Sequence, residues 1–237
     1  MWPAFSCVVE WAALRYAERF AQTQKRLGPP ETDMYTPSTF KVSDTAEIHS
    51  YMERYSFAML VTQGKPGMVA THLPILLDAQ AGRHGKLYGH MARANPQWKQ
   101  VQGEALVVFP GPHAYISATW YDTPGTVPTW NYVAVHAYGT LNVIEDRAKL
   151  HDILHRTIAV YESQMPRPWT YDDADPTFDD MLSEIVGFEI EISRLEGKRK
   201  LNQNHPEERR RRVVNALQTR SDSDSLAIAK LMADSLT

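Results

Sequence analysis

Phe188, Ile190 and Ile192 alternate with Glu189, Glu191 and Ser193. A period of two, with one apolar and one wet face, is the mark of a half-buried β-strand. Runs of this kind recur through the chain, each bounded by Gly, Pro or Asn. Residues 57–62 and 68–76 flank Gly64-Lys65-Pro66-Gly67 and read as a hairpin. Further strands are predicted at 85–91, 104–109, 113–118 and 132–144. Six or seven short strands with close turns and few helices predict a mainly β (α+β) protein. The expected form is a small closed antiparallel barrel carrying helices, rather than an alternating parallel fold; a sandwich of the same strands would leave the same pattern.

Helical spacing appears in fewer places. Asp44 followed by Glu47 resembles a capping box, with Ile48, Tyr51, Met52 and Tyr55 on one stripe behind it. Residues 146–163 carry Leu150, Ile153, Leu154, Thr157, Ile158 and Tyr161 on one face behind an Asp cap, which makes this the main helix. The proline-rich, acidic stretch with Asp172, Asp173 and Asp175 reads as a loop, and 178–184 as one or two helical turns. Residues 206–217 form a charged helix, and Ser221 to Ser225 read as a solvated linker before a short terminal helix.

At 237 residues and 43% hydrophobic content the chain can bury one large core or two small ones. A net charge of -3 offers no global attraction to nucleic acid or to an anionic membrane, so any DNA contact must be local. No apolar run is long enough to span a bilayer, and one cysteine, Cys7, forms no internal disulfide, which fits a reducing cytoplasm. Residues 1–33 read as an amphipathic extension ending at Gly28-Pro29-Pro30, either a peripheral helix or the product of a start codon placed too early. The expected organisation is this extension, a domain over 34–218, and a tail over 219–237.

Five segments carry chemistry. In Gly89-His90-Met91-Ala92-Arg93-Ala94-Asn95-Pro96, Arg93 offers a planar fork suited to phosphate and Asn95 an amide donor; the plainer reading is a solvated charge and a turn former. In Thr71-His72-Leu73-Pro74 the proline implies an edge strand with unpaired main-chain groups, and alternation separates Thr71 and Leu73 from His72; a core histidine at a barrel rim is the plainer reading. The segments 111–117 and 128–132 bring Tyr115, Ser117, Trp130 and Asn131 together with Trp120, Tyr121 and Tyr132, aromatics that wall a ring system or fill an inter-subunit seam. After the last predicted strand, Lys198, Arg199 and Lys200 cluster with Asn202, Gln203 and Asn204, and Arg209 to Arg212 enlarge the basic area, with Glu207 and Glu208 offsetting part of it.

No catalytic nucleophile, P-loop or paired-glycine fingerprint occurs. His72, His90, His113 and His136 contain no pair at H-x-x-x-H spacing, so no metal is expected from them.

In this order, Met34-Tyr35-Thr36-Pro37 with Phe40, Phe57-Ala58, Thr71-His72-Leu73-Pro74, the 89–96 and 111–117 segments, Trp120-Tyr121, Pro128-Thr129-Trp130-Asn131-Tyr132 and Gly197-Lys198-Arg199-Lys200-Leu201 resemble the PaiB family of FMN-binding negative transcriptional regulators. The resemblance spans about 34–217. It implies an FMN-binding split β-barrel, Greek-key-like and similar to the pyridoxamine-phosphate-oxidase group, acting as a homodimer with FMN in clefts between subunits. It also implies Thr71, His72, Leu73 and Pro74 beside the isoalloxazine, Arg93 and Asn95 at the phosphate, and Lys198, Lys200 and Gln203 approaching from the C-terminal side. His90, Tyr115, Ser117, Trp130 and Asn131 complete the expected cofactor set. Where the family reads Lys-Leu-Ser-Gln-Asn this chain has Lys200-Leu201-Asn202-Gln203-Asn204, which removes a small hydroxyl. The functional expectation is a cytoplasmic regulator, with DNA contact through 198–212 and no membrane. A flavin-dependent oxidoreductase and a cofactor-free interaction barrel are the alternatives.

Overall fold

Strand alternation decides how this sheet curls. β2 (Phe57–Gln63) buries Ala58, Leu60 and Thr62, and β5 (Lys86–Ala92) buries Leu87, Gly89 and Met91, so one face of each must be wrapped around a core. The computed structural model describes residues 33–65, 67–170 and 176–236. Met1–Tyr35 and Thr36–Thr237 form separate units, and the architecture here is that of the second.

The remaining strands are β1 (Lys41–Val42), β3 (Met68–Pro74), β4 (Leu76–Asp78), β6 (Gln102–Ile116), β7 (Thr129–Ile144) and β8 (Ile185–Lys200). They form one antiparallel sheet in the order β3-β2-β6-β7-β8-β5-β4, with β1 paired to β8. The curl brings β3 back against β5, and no ladder joins these two among the described residues. The barrel is therefore split along the β3–β5 seam, and β3 is an edge strand, where Pro74 costs no ladder hydrogen bond.

Leu60, Leu87, Phe109, Val135, Phe188 and Ile190 fill the barrel, and helix α1 (Thr45–Arg54) closes one side with Ile48, Tyr51 and Met52. Each such side chain contributes roughly 1.5–3 kcal/mol by leaving water. The short helix α2 (Gln97–Gln100) follows β5, and α3 (Arg147–Glu162) and α4 (Pro176–Ser183) precede β8. Asp146 caps α3 by accepting from the Lys149 amide at 2.9 Å. A second core lies where α5 (Glu207–Gln218) and α6 (Ser223–Asp234) pack on the end of β6, around Ile116, Tyr121, Leu201, Val213, Leu217, Ile228 and Met232.

Four sequence expectations change. Residues 104–109 and 113–118 belong to one strand, β6, because Pro110-Gly111-Pro112 makes a bulge rather than a break. Gly111 permits it: a Cβ there would lie 2.9 Å from the Val133 carbonyl oxygen. The 68–76 strand divides at Ile75, whose amide turns to the Ser56 carbonyl at 2.8 Å. The last strand runs past Ser193 to Lys200, so the 197–200 cations lie within it rather than after it. The expected linker at 221–225 is a helix start: Asp222 caps α6 through the Ser225 amide at 2.8 Å, and Ser225 is buried in the second core. The expected extension helix and the acidic residues 171–175 lie outside the described residues.

Candidate cofactor-binding face

The strand face turned away from the core is continuous across β3, β2, β6, β7 and β8. Register aligns His72 with Met59, Val108, His136 and Glu196 in one row across it. A neighbouring row runs from Pro110 through Ala134 to Lys198, the next from His113 through Tyr132 to Lys200, and Tyr115 faces Trp130 beyond them. Phe57 is 62% exposed and Trp130 52% exposed on this face. Phe57 and His72 stack with centroids 6.2 Å apart, and Trp130 meets Tyr115 edge-on at 5.9 Å and His113 at 6.0 Å. His72 is thus a surface ring, not a core histidine.

Two cations project into this apolar field. Lys198 is only 7% exposed, with its ammonium 5.3 Å from the Tyr132 ring, and Lys200 donates to Thr129 Oγ1 at 2.5 Å. Farther along the same strands Tyr138 donates to Glu196 at 3.1 Å and lies under the Arg194 guanidinium, which also pairs with Glu196. Burial pushes the His136 imidazole below its ordinary range, with Glu196 pulling the other way.

The β3–β5 seam holds the second group of expected residues. Thr71 donates to Gln97 Oε1 at 2.5 Å and accepts from Asn95 Nδ2 at 3.1 Å. Asn95 also accepts from the Gln97 amide, and the Gln97 carboxamide reaches Leu60 O, Thr62 Oγ1 and Val69 O. The free amides expected at the start of α2 are thereby partly taken up, and Gln97, a buried residue that sequence reasoning passed over, becomes the keystone of the seam. The only signal for it is a Gln directly behind Asn95-Pro96.

Other expected residues stand apart from both groups. Arg93 spends its fork on Ser183 O at 2.8 Å, Ile185 O at 2.9 Å and Glu145 at 3.2 Å, fastening the junction of α4 and β8. Leu73 lies in the barrel core, and Asn131, 0% exposed, points into the second core, where its amide meets Met232 Sδ at 3.3 Å and its Oδ1 has no hydrogen-bond partner. Ser117 caps the turn Ala118–Tyr121. Gln203 closes the turn after β8, accepting from the Leu201 amide and donating to Arg199 O. Asn202, the residue that replaces the family's hydroxyl, sits there at φ 61° and donates to the buried Tyr121 hydroxyl at 2.8 Å. His90 lies on the strand face that α3 covers, its Nδ1 buried without a partner, and burial pushes its pKa down.

The sequence profile of the family described as "Putative FMN-binding domain" matches residues 34–194. "Protease synthase and sporulation protein PAI 2" of Bacillus subtilis is 38% identical over 208 residues, covering 86% of this chain and 98% of that protein. This chain belongs to the PaiB family. An uncharacterized protein of Emericella nidulans is 30% identical over 211 residues, covering 71% of this chain and 82% of its own. Among solved structures, the flavocytochrome Anf3 of Azotobacter vinelandii overlays with a TM-score of 0.52 at 12% identity, covering 73% of this chain and 76% of that one. The FAD and heme binding protein of Mycobacterium smegmatis gives 0.50 at 12% identity, covering 68% and 73%. These overlays speak for the split-barrel fold alone.

FMN is the cofactor of this PaiB-family protein. The residues present suit it: a planar tricycle needs flat apolar and aromatic surface, and a phosphoryl end needs ammonium or guanidinium donors near low-dielectric walls. The outer face supplies both, with small Ala134 lying in the row between Pro110 and Lys198, beside the exposed rings.

Proposed function

We propose that this PaiB-family protein is a cytoplasmic negative transcriptional regulator, working as a homodimer whose two outer sheet faces meet and enclose FMN. The observation that carries the reading is the exposed aromatic and apolar face of β3, β2, β6 and β7, bordered by Lys198 and Lys200. A face of this composition on a soluble domain marks an interaction surface. In such a dimer, Lys198 and Lys200 would hold the phosphate, while Phe57, His72, Tyr115 and Trp130 would wall the ring system. The name of the Bacillus subtilis relative, tied to protease synthase and sporulation, agrees with a regulatory role.

The basic run offers little that is open to DNA. Arg211 and Arg212 pair with Glu207 and Glu208 one turn back, Arg210 binds Ser235, Arg209 meets His205, and Arg199 pairs with Glu47. A phosphate backbone would compete with these partners, so repression through another protein or ligand is the favoured route.

The flavin, when bound, supplies electron-transfer chemistry of its own. Purified protein examined by absorbance, sedimentation and DNA anisotropy at two salt concentrations tests the reading. A yellow dimer with no salt-dependent DNA affinity and no NAD(P)H turnover is expected. A colourless monomer that takes up no added FMN would refute it, and steady NAD(P)H oxidation would move it to the oxidoreductases.

A further inference from the structure

We propose that the groove between α3 and the sheet is a second ligand site, separate from the cofactor face, for a small monocarboxylate with an apolar body. A cavity of about 330 Å3 opens there, at the small end of the range of about 300–1,000 Å3 usual for small-molecule sites. The strands β5, β7 and β8 supply Tyr88, Ile144 and Glu189, and α3 supplies the rest of the lining. Ile144 is the last residue of β7 and Trp130 of the cofactor face its second, so the two sites lie at opposite ends of that strand.

Helical spacing explains the opening. Ala148, Asp152 and Arg156 succeed one another at i, i+4 along α3, with Lys149 beside them. Ala148 leaves the space that a longer apolar residue would fill, while Leu150 and Ile153 hold the helix on the sheet near Gly187. The body of a ligand meets Ile144, Ala148, Ile153 and the Tyr88 ring.

Two cations on this lining have donors unspent. Arg156 lies over the Tyr88 ring, 4.9 Å from its centroid, a contact that holds the planar fork without consuming its N–H groups. Its ionic contacts, to Asp78 and Asp152, are both 3.9 Å, beyond hydrogen-bond length. Lys149 makes no ion pair among the described residues, and it lines the same cavity. A carboxylate accepts from such a fork with both oxygens. Charge selects the class of anion: Asp78, Asp152 and Glu189 border these cations, with Glu189 held by Lys86 at 3.3 Å, so a phosphate dianion meets more repulsion than a monocarboxylate does.

The test uses the full chain saturated with FMN. Benzoate should shift the nuclear magnetic resonance signals of Tyr88, Ala148 and Ile153 saturably at about millimolar concentration, leaving the flavin absorbance unchanged. Benzamide, its neutral isostere, and inorganic phosphate should each bind at least about tenfold more weakly. Lys149→Gln and Arg156→Gln should each weaken benzoate about tenfold, and Asp152→Asn, which removes a repelling carboxylate, should tighten it about threefold. The Asp152 side chain is 66% exposed and Lys149 is exposed, so thermal melting of those two variants should match wild type. Equal affinity for benzoate and benzamide, tighter binding of phosphate than of benzoate, or release of flavin by benzoate would overturn the proposal. So would undiminished benzoate binding in the Lys149→Gln/Arg156→Gln double variant, or the lack of any saturable shift at the three reporter residues.

Discussion

Replacing Gln97 with Leu should destabilise the fold by about 1–3 kcal/mol, and the figure follows from the seam. Gln97 is 1% exposed and makes four side-chain hydrogen bonds, to Leu60 O, Thr62 Oγ1, Val69 O and Thr71 Oγ1. At a net contribution of about 0.5–1.5 kcal/mol each, their loss costs roughly 2–6 kcal/mol. Thr71 keeps Asn95 as a partner and the two carbonyls belong to sheet strands, so the lower half of that range applies. The added apolar area of Leu, held out of water, returns about 1 kcal/mol.

Gln97→Glu separates hydrogen bonding from packing. It keeps the shape but sets a carboxylate against three oxygens, so it should be the worse variant at pH 7.5 and should recover part of the loss near pH 5, where protonation restores a donor. Guanidinium unfolding, read as a midpoint shift at constant slope, measures both. A Leu variant within about 0.5 kcal/mol of wild type, or a Glu variant as stable as the Leu variant at pH 7.5, would show that the carboxamide does not seal the barrel.

Trp130→Ala should weaken the proposed dimer about thirtyfold, the equivalent of about 2 kcal/mol for a central aromatic anchor, and lower flavin retention with it; sedimentation equilibrium and flavin fluorescence report both. Gly111→Ala should cost about 1–3 kcal/mol, because the new methyl group has no space beside Val133, and thermal melting checks it. Burial holds the His90 pKa below its ordinary value, so the unfolded chain binds that proton more tightly. Its contribution is intact above about pH 6.5 and is lost as pH falls towards the folded-state pKa; His90→Leu should flatten that part of the stability curve. Asp222 is shifted the same way by its hydrogen bonds from Ser225, so its contribution is present above about pH 4 and lost below as the carboxyl protonates; Asp222→Asn, still a cap, should flatten the acid limb.

Local rules made some of this architecture legible. The β2–β3 hairpin follows from two apolar runs around a Gly-Pro-Gly turn, the edge position of β3 from Pro74, and α3 from its stripe behind Asp146. What stayed hidden was decided by contacts between distant segments. Thr71 and Asn95 each look like an isolated polar residue until the β3–β5 seam sets them 3.1 Å apart. Arg93 has the donors of a phosphate ligand, yet main-chain oxygens ninety residues away are nearer. Asn131 sits between Trp130 and Tyr132 in sequence, and strand alternation alone sends it inward. Pro110-Gly111-Pro112 reads as a break because a bulge and a turn use the same residues.

The least legible event is also the one the cofactor face depends on. In the first half of β8, Val186, Phe188, Ile190 and Ile192 point into the core; in the second half, Leu195 packs against that core and Gly197 lies beneath Ile48. The parity changes because the register against β7 shifts by one residue between Ile192 and Arg194. Ser193 is the extra residue, and its hydroxyl bonds Glu104 at 2.7 Å and the Tyr138 carbonyl at 3.1 Å. Without the bulge, the face that carries Lys198 and Lys200 outward would turn them towards Ile48, since a one-residue slip reverses every side chain beyond it. Deleting Ser193 therefore forces either the four apolar residues before it or the two lysines after it onto the wrong side, and the variant should not unfold cooperatively. Ser193→Gly keeps the residue count and should lose only the two hydroxyl bonds, about 1–3 kcal/mol. A deletion variant that melts like wild type and still takes up FMN would mean that the outward lysines are not set by this bulge.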